Sequence, residues 1–383
     1  MAFEMARRGH EVSVLTAIPD YPYGRFFDGY GVFKRRREKH KGVQIYRSLI
    51  IARGNGSPVR LALNYLSYTF FVMFSALWLS LTKKFDSVIV YETSPVMVGI
   101  PGVIVKRIQK IPMLFYVQDL WPESLSAAGG IRNRRILGIF ERLTSFLYRQ
   151  SDRILISSRG FSKSVCSKGS FSDKIIYFPN WIDDIQEDVT DVEIPSLPTG
   201  FRVMFAGNMG DAQDMPSVMS AAEQLKDHAE IKFIFLGEGR KKSWVESHIM
   251  SHGLEKTVYC LGRFPLQTMP YFFRQADVLF LSLKDTEIFS LTVPSRVQAY
   301  MAAGKPVVAM LNGEGSSLIS EADCGYSVNA GDSSGLASLI LQLSVMPSDE
   351  LAVKGANGKK YSERYYDFRT CMDNLEKIIC SIS

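Results

Sequence analysis

The chain has 383 residues, 46% of them hydrophobic and 22% charged, which excludes a disordered or fibrous protein and suits two domains that each bury a core. Its net charge of +6 is divided unevenly, because residues 1–180 carry 27 Lys and Arg against 12 Asp and Glu, whereas the remainder carries 18 against 27. The basic half is expected to meet something anionic, either nucleic acid or a lipid surface.

The amino-terminal elements are unusual for a parallel sheet. Residues 2–8 predict the end of a helix closed by Gly9, and residues 11–17 predict a short apolar strand of the kind that follows a crossover helix. A parallel sheet needs a strand before that helix. We therefore expect either that the chain starts further upstream or that the domain lacks its first strand and first loop.

Strands and helices then alternate as far as residue 178, which predicts a doubly wound parallel sheet. The predicted strands are 43–49, 87–91, 113–118, 153–157 and 175–178. The predicted helices are 61–81, 96–109 and 133–150.

Residues 183–200 are acidic and then Pro-rich without periodicity, which predicts a linker. A second α/β domain follows it. Its predicted strands are 202–206, 232–236, 258–261, 278–283 and 307–310. We therefore predict domains at 1–182 and 201–360, and a carboxyl-terminal helix within 361–383 that crosses back to the first domain.

The stretch 61–81 has 21 residues and no charged side chain, so it is long enough to span a bilayer. Strands 43–49 and 87–91 on either side of it are both expected in one sheet, so we predict a helix that lies in the membrane interface. The alternative is a crossover helix buried on all sides by the domain. Clustered cations on both sides favour an anionic lipid surface: Lys34, Arg35, Arg36, Arg37, Lys39, Lys41, Lys83 and Lys84.

Cysteine and histidine spacings give little sign of a metal. The five cysteines are scattered, without a Cys-x-x-Cys pair, and are predicted to be reduced cytosolic thiols. His248 and His252 share one helix face, but no Glu follows His248 in the zinc-protease pattern. No metal site is predicted.

Ligands of open α/β sheets bind beyond the carboxyl ends of the strands, so the residues after each strand are candidates for a site. The run Gly207-Asn208-Met209-Gly210 follows strand 202–206, where glycines let the backbone approach a phosphate. The run 237–242, with Glu238, Gly239, Arg240 and Lys241, follows strand 232–236 and offers cations to a diphosphate. An ordinary turn is the alternative for both runs.

A longer motif, 287–306, follows strand 278–283. Glu287 supplies a carboxylate suited to ribose hydroxyls, and the helix start at 292–295 supplies an amino end suited to a diphosphate. The order and length of these parts make the motif specific.

In the first domain, Asp119, Trp121 and Glu123 follow strand 113–118, and Glu92 follows the neighbouring strand. A carboxylate beside a tryptophan can orient a sugar hydroxyl and stack against its ring. Packing in a turn is the alternative for Trp121, so Asp119 is the main candidate.

Taken together, these segments resemble the family-4 retaining glycosyltransferases of the GT-B fold, and in pattern the bacterial transferases of N-acetyl-L-fucosamine in O-antigen and capsule assembly. The segments that carry the resemblance are RGHEVSVLT (8–16), PDYPYG (19–24), VQDLWPES (117–124), FPNWID (178–183), FAGNMGDAQD (205–214), LGEGRKK (236–242), LGRFP (261–265) and IFSLTVPSRVQAYMAAGKPVVAMLNGEG (288–315).

The resemblance implies an α/β fold of two Rossmann-like doubly wound domains that face a central cleft. It also implies a UDP-sugar held mainly by the second domain and a polyprenyl-diphosphate-linked saccharide held by the first, at an anionic membrane. A cytoplasmic protein on the inner face of the plasma membrane, with no metal, cofactor or nucleic acid, is expected. The leaving diphosphate is then the base that deprotonates the acceptor.

Under this resemblance Asp119 and Glu287 are the catalytic candidates, and Glu92, Trp121 and Glu123 lie on the acceptor side. The donor-binding candidates are Gly207, Asn208, Gly210, Gln213, Glu238, Gly239, Arg240, Lys241, Phe264, Phe289, Ser290, Leu291, Pro294, Ser295 and Arg296.

The sequence departs from the family pattern in several places. The family's first strand and Gly-rich loop have no counterpart, and its first-domain His is matched by Gln118. Its Arg and Lys after the first strand of the second domain are matched by the neutral Asn208 and Gln213, so Arg240, Lys241 or Arg296 must neutralise the diphosphate. The second of its paired glutamates is matched by Ser295 or, counting back from Gly304, by Ala299.

Two further classes share this pattern. A nucleotide-sugar 2-epimerase has the same architecture but acts on a soluble substrate without an acceptor. An inactive, truncated member of the family that binds only a partner or a membrane is the other. Nucleic-acid binding is not predicted, because the basic half lacks interleaved aromatic and basic residues and a helix-turn-helix pattern.

Overall fold

The computed structural model of the chain describes residues 1–127, 131, 133–183, 185–190 and 192–382. These residues form two compact units. The first contains residues 1–157, 161–178 and 372–383, and the second contains 158–160 and 179–371. The sequence placed the domain boundary after residue 182, and the described part of its linker, 183–200, has no helix or strand.

Seven strands occur in the described part of the first unit. They are β1 (Ser13–Ala17), β2 (Arg37–His40), β3 (Val43–Ser48), β4 (Val88–Glu92), β5 (Met113–Val117), β6 (Arg153–Ile156) and β7 (Ile175–Tyr177). They make two sheets, one in the order β1-β3-β2 and one, all parallel, in the order β4-β5-β6-β7. The second sheet positions the first unit's candidate residues, because its buried central strand β5 ends next to them.

The two sheets correct the expectation of one doubly wound sheet in this unit. β3 and β4 belong to different sheets, so their position on either side of the apolar helix does not by itself exclude a spanning segment. The sequence also missed β2, which pairs antiparallel with β3 inside the basic run 34–41.

Helices of the first unit cover its sheets. They are α1 (Ala2–Arg7), α2 (Pro58–Thr82), α3 (Gly99–Gln109), α4 (Glu123–Ala127), α5 (Arg134–Gln150) and α6 (Phe161–Ser167).

Helix α2 is long and apolar but mostly exposed. Within the described residues it is the one helix of sufficient length and hydropathy to cross a membrane, and only 22% of its most apolar window is buried. Its inner face, with Val72, Ala76 and Leu79, packs toward β1, β3 and α3. The alternative of a helix buried on all sides is therefore wrong. Its large exposed apolar side chains recur every three or four residues along one face: Val59, Leu63, Leu66, Phe70, Met73, Phe74, Leu77 and Leu81.

The second unit is built on one parallel six-stranded sheet in the order β10-β9-β8-β11-β12-β13. Its strands are β8 (Phe201–Ala206), β9 (Ile231–Leu236), β10 (Val258–Gly262), β11 (Val278–Ser282), β12 (Val307–Met310) and β13 (Gly325–Val328). Every residue of β9, β11 and β12 is buried, as expected for central strands covered on both faces. The strand β13 at the sheet edge was not predicted.

Helices lie on both faces of this sheet. They are α7 (Met215–Gln224), α8 (Lys242–His252), α9 (Met269–Gln275), α10 (Glu287–Ser290), α11 (Ser295–Ala302), α12 (Glu314–Glu321), α13 (Ser333–Ser344) and α14 (Ser348–Tyr365). Buried apolar side chains on the two faces form two cores, so the fold class predicted for this unit is confirmed.

The carboxyl-terminal helical region is broken rather than continuous. A last helix, α15 (Phe368–Cys380), follows α14 after a break at Tyr366 and Asp367. The Tyr366 ring is buried, and its carbonyl accepts a hydrogen bond from the amide of Ile182, which fixes the break. Residues from 372 onward pack in the first unit, where Arg8 forms an ion pair with Glu376 at 2.6 Å.

Candidate functional site

The second unit gathers its candidate residues at one edge of its sheet. All six strands are parallel, so the loops that follow them emerge at the same edge. The loops after the neighbouring strands β8, β9 and β11 contain nearly all the predicted donor-binding residues.

The glycine runs after β8 and β9 are locked together through their backbones. The amide of Met209 donates to the carbonyl of Glu238 at 2.7 Å, and the amide of Lys241 donates to the carbonyl of Met209 at 2.9 Å. A Cβ at Gly237 would lie 1.9 Å from the carbonyl oxygen of Gly207, and Gly237 has a φ of +147°. Only glycine fits this position. The runs therefore form one rigid double loop, defined here as residues 207–210 and 237–241.

Gln213 holds the backbone of the double loop through hydrogen bonds. Its buried side-chain oxygen accepts a hydrogen bond from the amide of Gly210 at 2.9 Å, and its carbonyl accepts one from the Ser282 hydroxyl at 2.5 Å. A Cβ on Gly210 would lie 2.7 Å from the side-chain Nδ2 of Asn208, so a larger residue there would require the Asn208 side chain to turn away. Gln213 thus holds the backbone of the loop, which is a different task from the donor contact predicted for it.

Arg296 reaches the double loop from helix α11. Its guanidinium lies over the Phe205 ring, 4.8 Å from the centroid, and its Cδ is 3.3 Å from the position of a Cβ on Gly207. Its Nη1 atom is buried and has no hydrogen-bond partner among the described residues. Burial lowers the pKa of Arg296. A buried guanidinium donor without a partner is a costly arrangement that an anion in this position would relieve.

Tyr300, one turn further along α11, fixes the last residue of β8. Its hydroxyl accepts a hydrogen bond from the amide of Ala206 at 2.9 Å and lies 3.2 Å from the Ala206 carbonyl, to which it donates. The phenol is fully buried, which raises its pKa. One helix therefore holds both the base of the glycine loop and the guanidinium beside it. Sequence reasoning missed Tyr300, although four residues from Arg296 is the spacing of one helix face.

The cations after β9 differ in their pairing. Lys242 donates to Glu238 at 2.6 Å, which raises the Lys242 pKa, and Lys241 lies 3.3 Å from Asp211. Arg240 is exposed, and no hydrogen bond or ion pair of its side chain occurs within the described residues. The charged side chains after β9 are therefore exposed or half-buried, whereas the guanidinium of Arg296 is buried.

The motif 287–306 folds as two short helices joined by a turn. Thr286 caps α10 by accepting the amide of Phe289 at 3.3 Å, and this leaves the Glu287 side chain exposed at the amino end. No hydrogen bond or ion pair occupies the Glu287 carboxylate within the described part of the chain. Pro294 precedes α11, whose first residue, Ser295, is exposed, so a second helix amino end lies beside Arg296.

Other predicted donor-binding residues are engaged elsewhere. The Leu291 carbonyl accepts the Ser158 hydroxyl at 2.6 Å, and the backbone of Ser290 is packed closely against Gly313. The rings of Phe264 and Phe289 pack against the core of the second unit that contains Phe272 and Tyr300. The Phe264 and Phe272 rings lie at a centroid distance of 4.7 Å. The ring contacts account for Phe264 and Phe289 without a ligand, whereas the contacts of Ser290 and Leu291 are made by the backbone and do not depend on residue type.

The first unit brings Glu92 and Asp119 together at the ends of the neighbouring strands β4 and β5. Glu92 is 1% exposed, and its Oε2 accepts the amide of Asp119 at 3.4 Å. Its Oε1 is buried without a partner among the described residues. Burial raises the pKa of Glu92 well above its ordinary value, and the carboxylate of Asp119 raises it further. Burial and the neighbouring Asp119 carboxylate therefore favour the neutral form of Glu92.

Two serines and a tryptophan orient Asp119. Its two oxygens accept hydrogen bonds from the Ser94 hydroxyl, at 2.5 Å, and from the Ser124 hydroxyl. Ser94 Oγ in turn accepts the indole N–H of Trp121 at 3.1 Å. Trp121 is buried, so it packs rather than presenting a face for a sugar to stack on. Sequence reasoning missed both serines, although Ser94 follows Glu92 by two residues.

Glu123 is occupied by other partners. Its Oε1 accepts hydrogen bonds at 2.6 Å from the Ser164 hydroxyl and the Lys168 ammonium. Burial alone would raise the pKa of Glu123, but these two partners outweigh it and the pKa is lowered. The structure thus uses Glu123 to join α4 to α6, whereas Glu92 and Asp119 lie together.

Comparison with families of known proteins covers most of the chain in two parts. Residues 1–181 match the family described as glycosyl transferase 4-like domain. Residues 200–345 match the family described as glycosyl transferases group 1.

Two bacterial relatives extend this similarity. The probable glycosyltransferase WbjE of Pseudomonas aeruginosa is 26% identical over 70% of this chain and 68% of its own length. The putative colanic acid biosynthesis glycosyl transferase WcaI of Escherichia coli is 23% identical over 78% of this chain and 75% of its own.

Solved structures share the fold. HepE of Anabaena in complex with UDP superimposes with a TM-score of 0.67 at 15% identity, covering 89% of this chain and 87% of that one. Sucrose-phosphate synthase of Thermosynechococcus elongatus has a TM-score of 0.71 at 14% identity, covering 100% and 92%. The GT-B architecture is therefore confirmed at the level of the fold.

Proposed function

The chain belongs to the group 1 glycosyltransferases, and from that premise we propose that it transfers a sugar from a UDP-sugar to a polyprenyl-diphosphate-linked saccharide in surface polysaccharide assembly. An N-acetylated amino or deoxy sugar is the proposed donor sugar. The relatives WbjE and WcaI support this general role, since the name of WcaI refers to the synthesis of colanic acid.

The observation that carries the donor assignment is the unpartnered Nη1 of Arg296 beside Gly207. A diphosphate against the double loop would accept hydrogen bonds from this guanidinium and from the amino end of α11. In this proposal Arg296 is the one buried cation that contacts the diphosphate. The structural relative HepE was solved with UDP and with UDP-glucose, which supports a uridine nucleotide as the ligand proposed here.

Glu287 is the proposed contact to the sugar or the ribose. Its carboxylate is exposed on the same edge of the sheet, at the start of α10, and hydroxyl groups are natural donors to such a group. In the proposed reaction the bond between the anomeric carbon and the diphosphate breaks, and the acceptor oxygen bonds to that carbon with retention. The acceptor proton passes to the leaving diphosphate, and Arg296 stabilises the negative charge that develops on this diphosphate.

Asp119 is the proposed contact to the acceptor. Ser94 and Ser124 hold its carboxylate in one orientation, and the raised pKa of Glu92 favours a neutral group beside it. An acceptor hydroxyl can therefore donate to one oriented carboxylate without repulsion from its neighbour.

A membrane position on the inner, cytoplasmic face is proposed for the first unit. The exposed apolar face of α2 supplies the hydrophobic contact, and the excess of Lys and Arg in residues 1–180 supplies attraction to anionic headgroups. Arg37 lies over the Trp78 ring at 4.2 Å, which places a cation next to the apolar face. A lipid-linked acceptor would be found at the same surface.

The experiment that tests this function supplies a panel of UDP-sugars and short polyprenyl-diphosphate saccharides to the purified chain. Mass spectrometry should show one added sugar, and both Asp119→Asn and Glu287→Gln should lose this product while retaining a normal circular dichroism spectrum. Conversion of a UDP-sugar to an epimer without any acceptor would show a 2-epimerase instead. Full transfer by both variants would overturn the residue assignments.

A further inference from the structure

Two histidines and a glutamate form a cluster on the second unit that the proposed transfer reaction does not use. His248 and His252 lie one turn apart on α8, and Glu223 lies near the end of α7. One ligand atom from each of the three lies within 4.8 Å of the others. The sequence predicts no metal here because no Glu follows His248 in the zinc-protease pattern, whereas packing of α7 on α8 brings Glu223 to the histidine pair.

We propose that Glu223, His248 and His252 bind one Zn²⁺ ion that joins α7 to α8. Two histidines four residues apart on one helix face and a carboxylate from a neighbouring helix are a donor set that suits this ion. Three protein ligands leave the fourth tetrahedral position to water. His252 is exposed, so the ion has a path from solvent.

The hydrogen bonds of His252 prepare it as a ligand. Its Nδ1 lies 3.0 Å from the carbonyl oxygen of His248. The Ser251 hydroxyl lies 2.9 Å from the same Nδ1, and in the tautomer that donates Nδ1–H to the carbonyl the Nε2 atom keeps its lone pair for a metal. A backbone carbonyl that fixes the second nitrogen in this way is the usual support of a metal-bound histidine.

His248 and Glu223 already face each other. The His248 Nε2 lies 2.5 Å from Glu223 Oε1, and binding of zinc would release the shared proton to solvent and move these two atoms apart to about 3.3 Å. The two histidine rings are stacked at a centroid distance of 3.9 Å with their planes 16° apart, so the exposed His252 ring must turn before both rings can bind one ion in plane. Trp244 stacks on the other face of His248 at 4.8 Å and restricts its rotation.

The cluster lies away from the proposed donor site. Helices of a parallel sheet run opposite to its strands, so the ends of α7 and α8 lie at the amino edge of the sheet. The double loop lies at the carboxyl edge. We therefore expect zinc to change the stability of the second unit and to leave the affinity for UDP unchanged.

Calorimetric titration of the untagged full chain with ZnCl₂ at neutral pH tests the proposal. The exposed thiols Cys166 and Cys380 are first replaced by serine, because thiolates bind zinc on their own. One ion per chain is expected, with no competition from a large excess of Mg²⁺, and a rise of a few degrees in the thermal unfolding midpoint.

The decisive variant is His252→Gln, which removes one ligand and keeps the His248–Glu223 hydrogen bond. Its zinc affinity should fall about tenfold or more, and its unfolding midpoint without zinc should match that of the parent. His228→Gln is the matched control, since His228 pairs with Glu230 at 3.3 Å and belongs to no cluster of three metal-ligating groups among the described residues. Absence of stoichiometric binding in the parent, or equal affinities of the parent and His252→Gln, would overturn the proposal.

Discussion

The Tyr300 hydroxyl is hydrogen-bonded to both the amide and the carbonyl of Ala206, at 2.9 and 3.2 Å. This contact joins α11 to the last residue of β8, immediately before the double loop. Because Arg296 projects from the same helix, movement of Tyr300 would also move the guanidinium relative to Gly207. The hydroxyl is therefore expected to matter for ligand affinity as well as for stability.

Tyr300→Phe tests this relationship. The substitution leaves buried backbone groups without a partner, so the free energy of unfolding should fall by about 1–3 kcal/mol. The dissociation constant for UDP should rise several-fold, as measured by calorimetry at a temperature where the variant is folded. Tyr326→Phe is the control and should change neither quantity, because the one hydrogen bond of this hydroxyl within the described part of the chain is a long one to the Met346 sulfur, at 3.8 Å. An unchanged UDP affinity in Tyr300→Phe would mean that the loop does not depend on this contact.

Glu92 gives the protein a predictable dependence on pH. Near pH 4 the Glu92 carboxyl is protonated in the folded state and largely protonated in the unfolded state, so it has little effect on stability. Above the unfolded pKa of about 4.3, only the folded state keeps the proton, and the free energy of unfolding falls as the pH rises toward the raised folded pKa. Each unit by which the pKa is raised costs about 1.4 kcal/mol.

Glu92→Gln removes this loss, so the variant should be more stable than the parent at pH 7 and about equal to it near pH 4. Urea unfolding followed by circular dichroism between these values measures the difference. Glu287→Gln, which changes an exposed carboxylate, should show no such trend. A Glu92→Gln protein that is less stable than the parent at pH 7 would show that Glu92 is charged in the folded state.

Glu287 is expected to act on the substrate and not on the fold. Loss of a hydrogen bond to a charged group is worth about 1.5–3 kcal/mol, so Glu287→Gln should lower kcat/KM for the donor about 10- to 150-fold. The unfolding midpoint should not move, because the carboxylate is exposed and unbonded within the described residues. Glu350→Gln, an exposed glutamate in α14, is the matched control and should have parental kinetics.

The apolar face of α2 is expected to bind lipid. Leu66→Ser, Phe70→Ser and Phe74→Ser together remove three exposed apolar side chains, each worth about 1.5–3 kcal/mol when fully buried. The fraction of protein that floats with vesicles containing phosphatidylglycerol should then drop at least tenfold. Val345→Ser and Val353→Ser, which change equally exposed side chains of the second unit, should float like the parent. Equal flotation of all three proteins would exclude α2 as the contact.

The strands of the second unit could be predicted from its sequence because each central one contains four consecutive apolar residues: 203–206, 233–236, 278–281 and 307–310. The break between α14 and α15 could not, since it depends on the distant contact of Tyr366 with Ile182. The single sheet expected for the first unit was wrong, because which strands are adjacent is a long-range property that periodicity does not encode.

The candidate site shows the same limit. Sequence position placed Glu92 and Asp119 at neighbouring strand ends, where the structure has them. It could not show that Gln213 turns inward to the amide of Gly210, or that Glu123 pairs with Lys168. Spacing locates a residue on an element, whereas the direction of its side chain depends on packing across the fold.

Calorimetric titration of the full chain with UDP, in parallel with Arg296→Gln and Arg240→Gln, tests the central claim most directly. The account predicts that UDP binds, that Arg296→Gln weakens it at least about tenfold, and that the exposed Arg240 matters far less. Uridine without phosphates should bind weakly, and its affinity should be the same in both variants as in the parent. No binding of UDP, or the same affinity in Arg296→Gln as in the parent, would contradict the account.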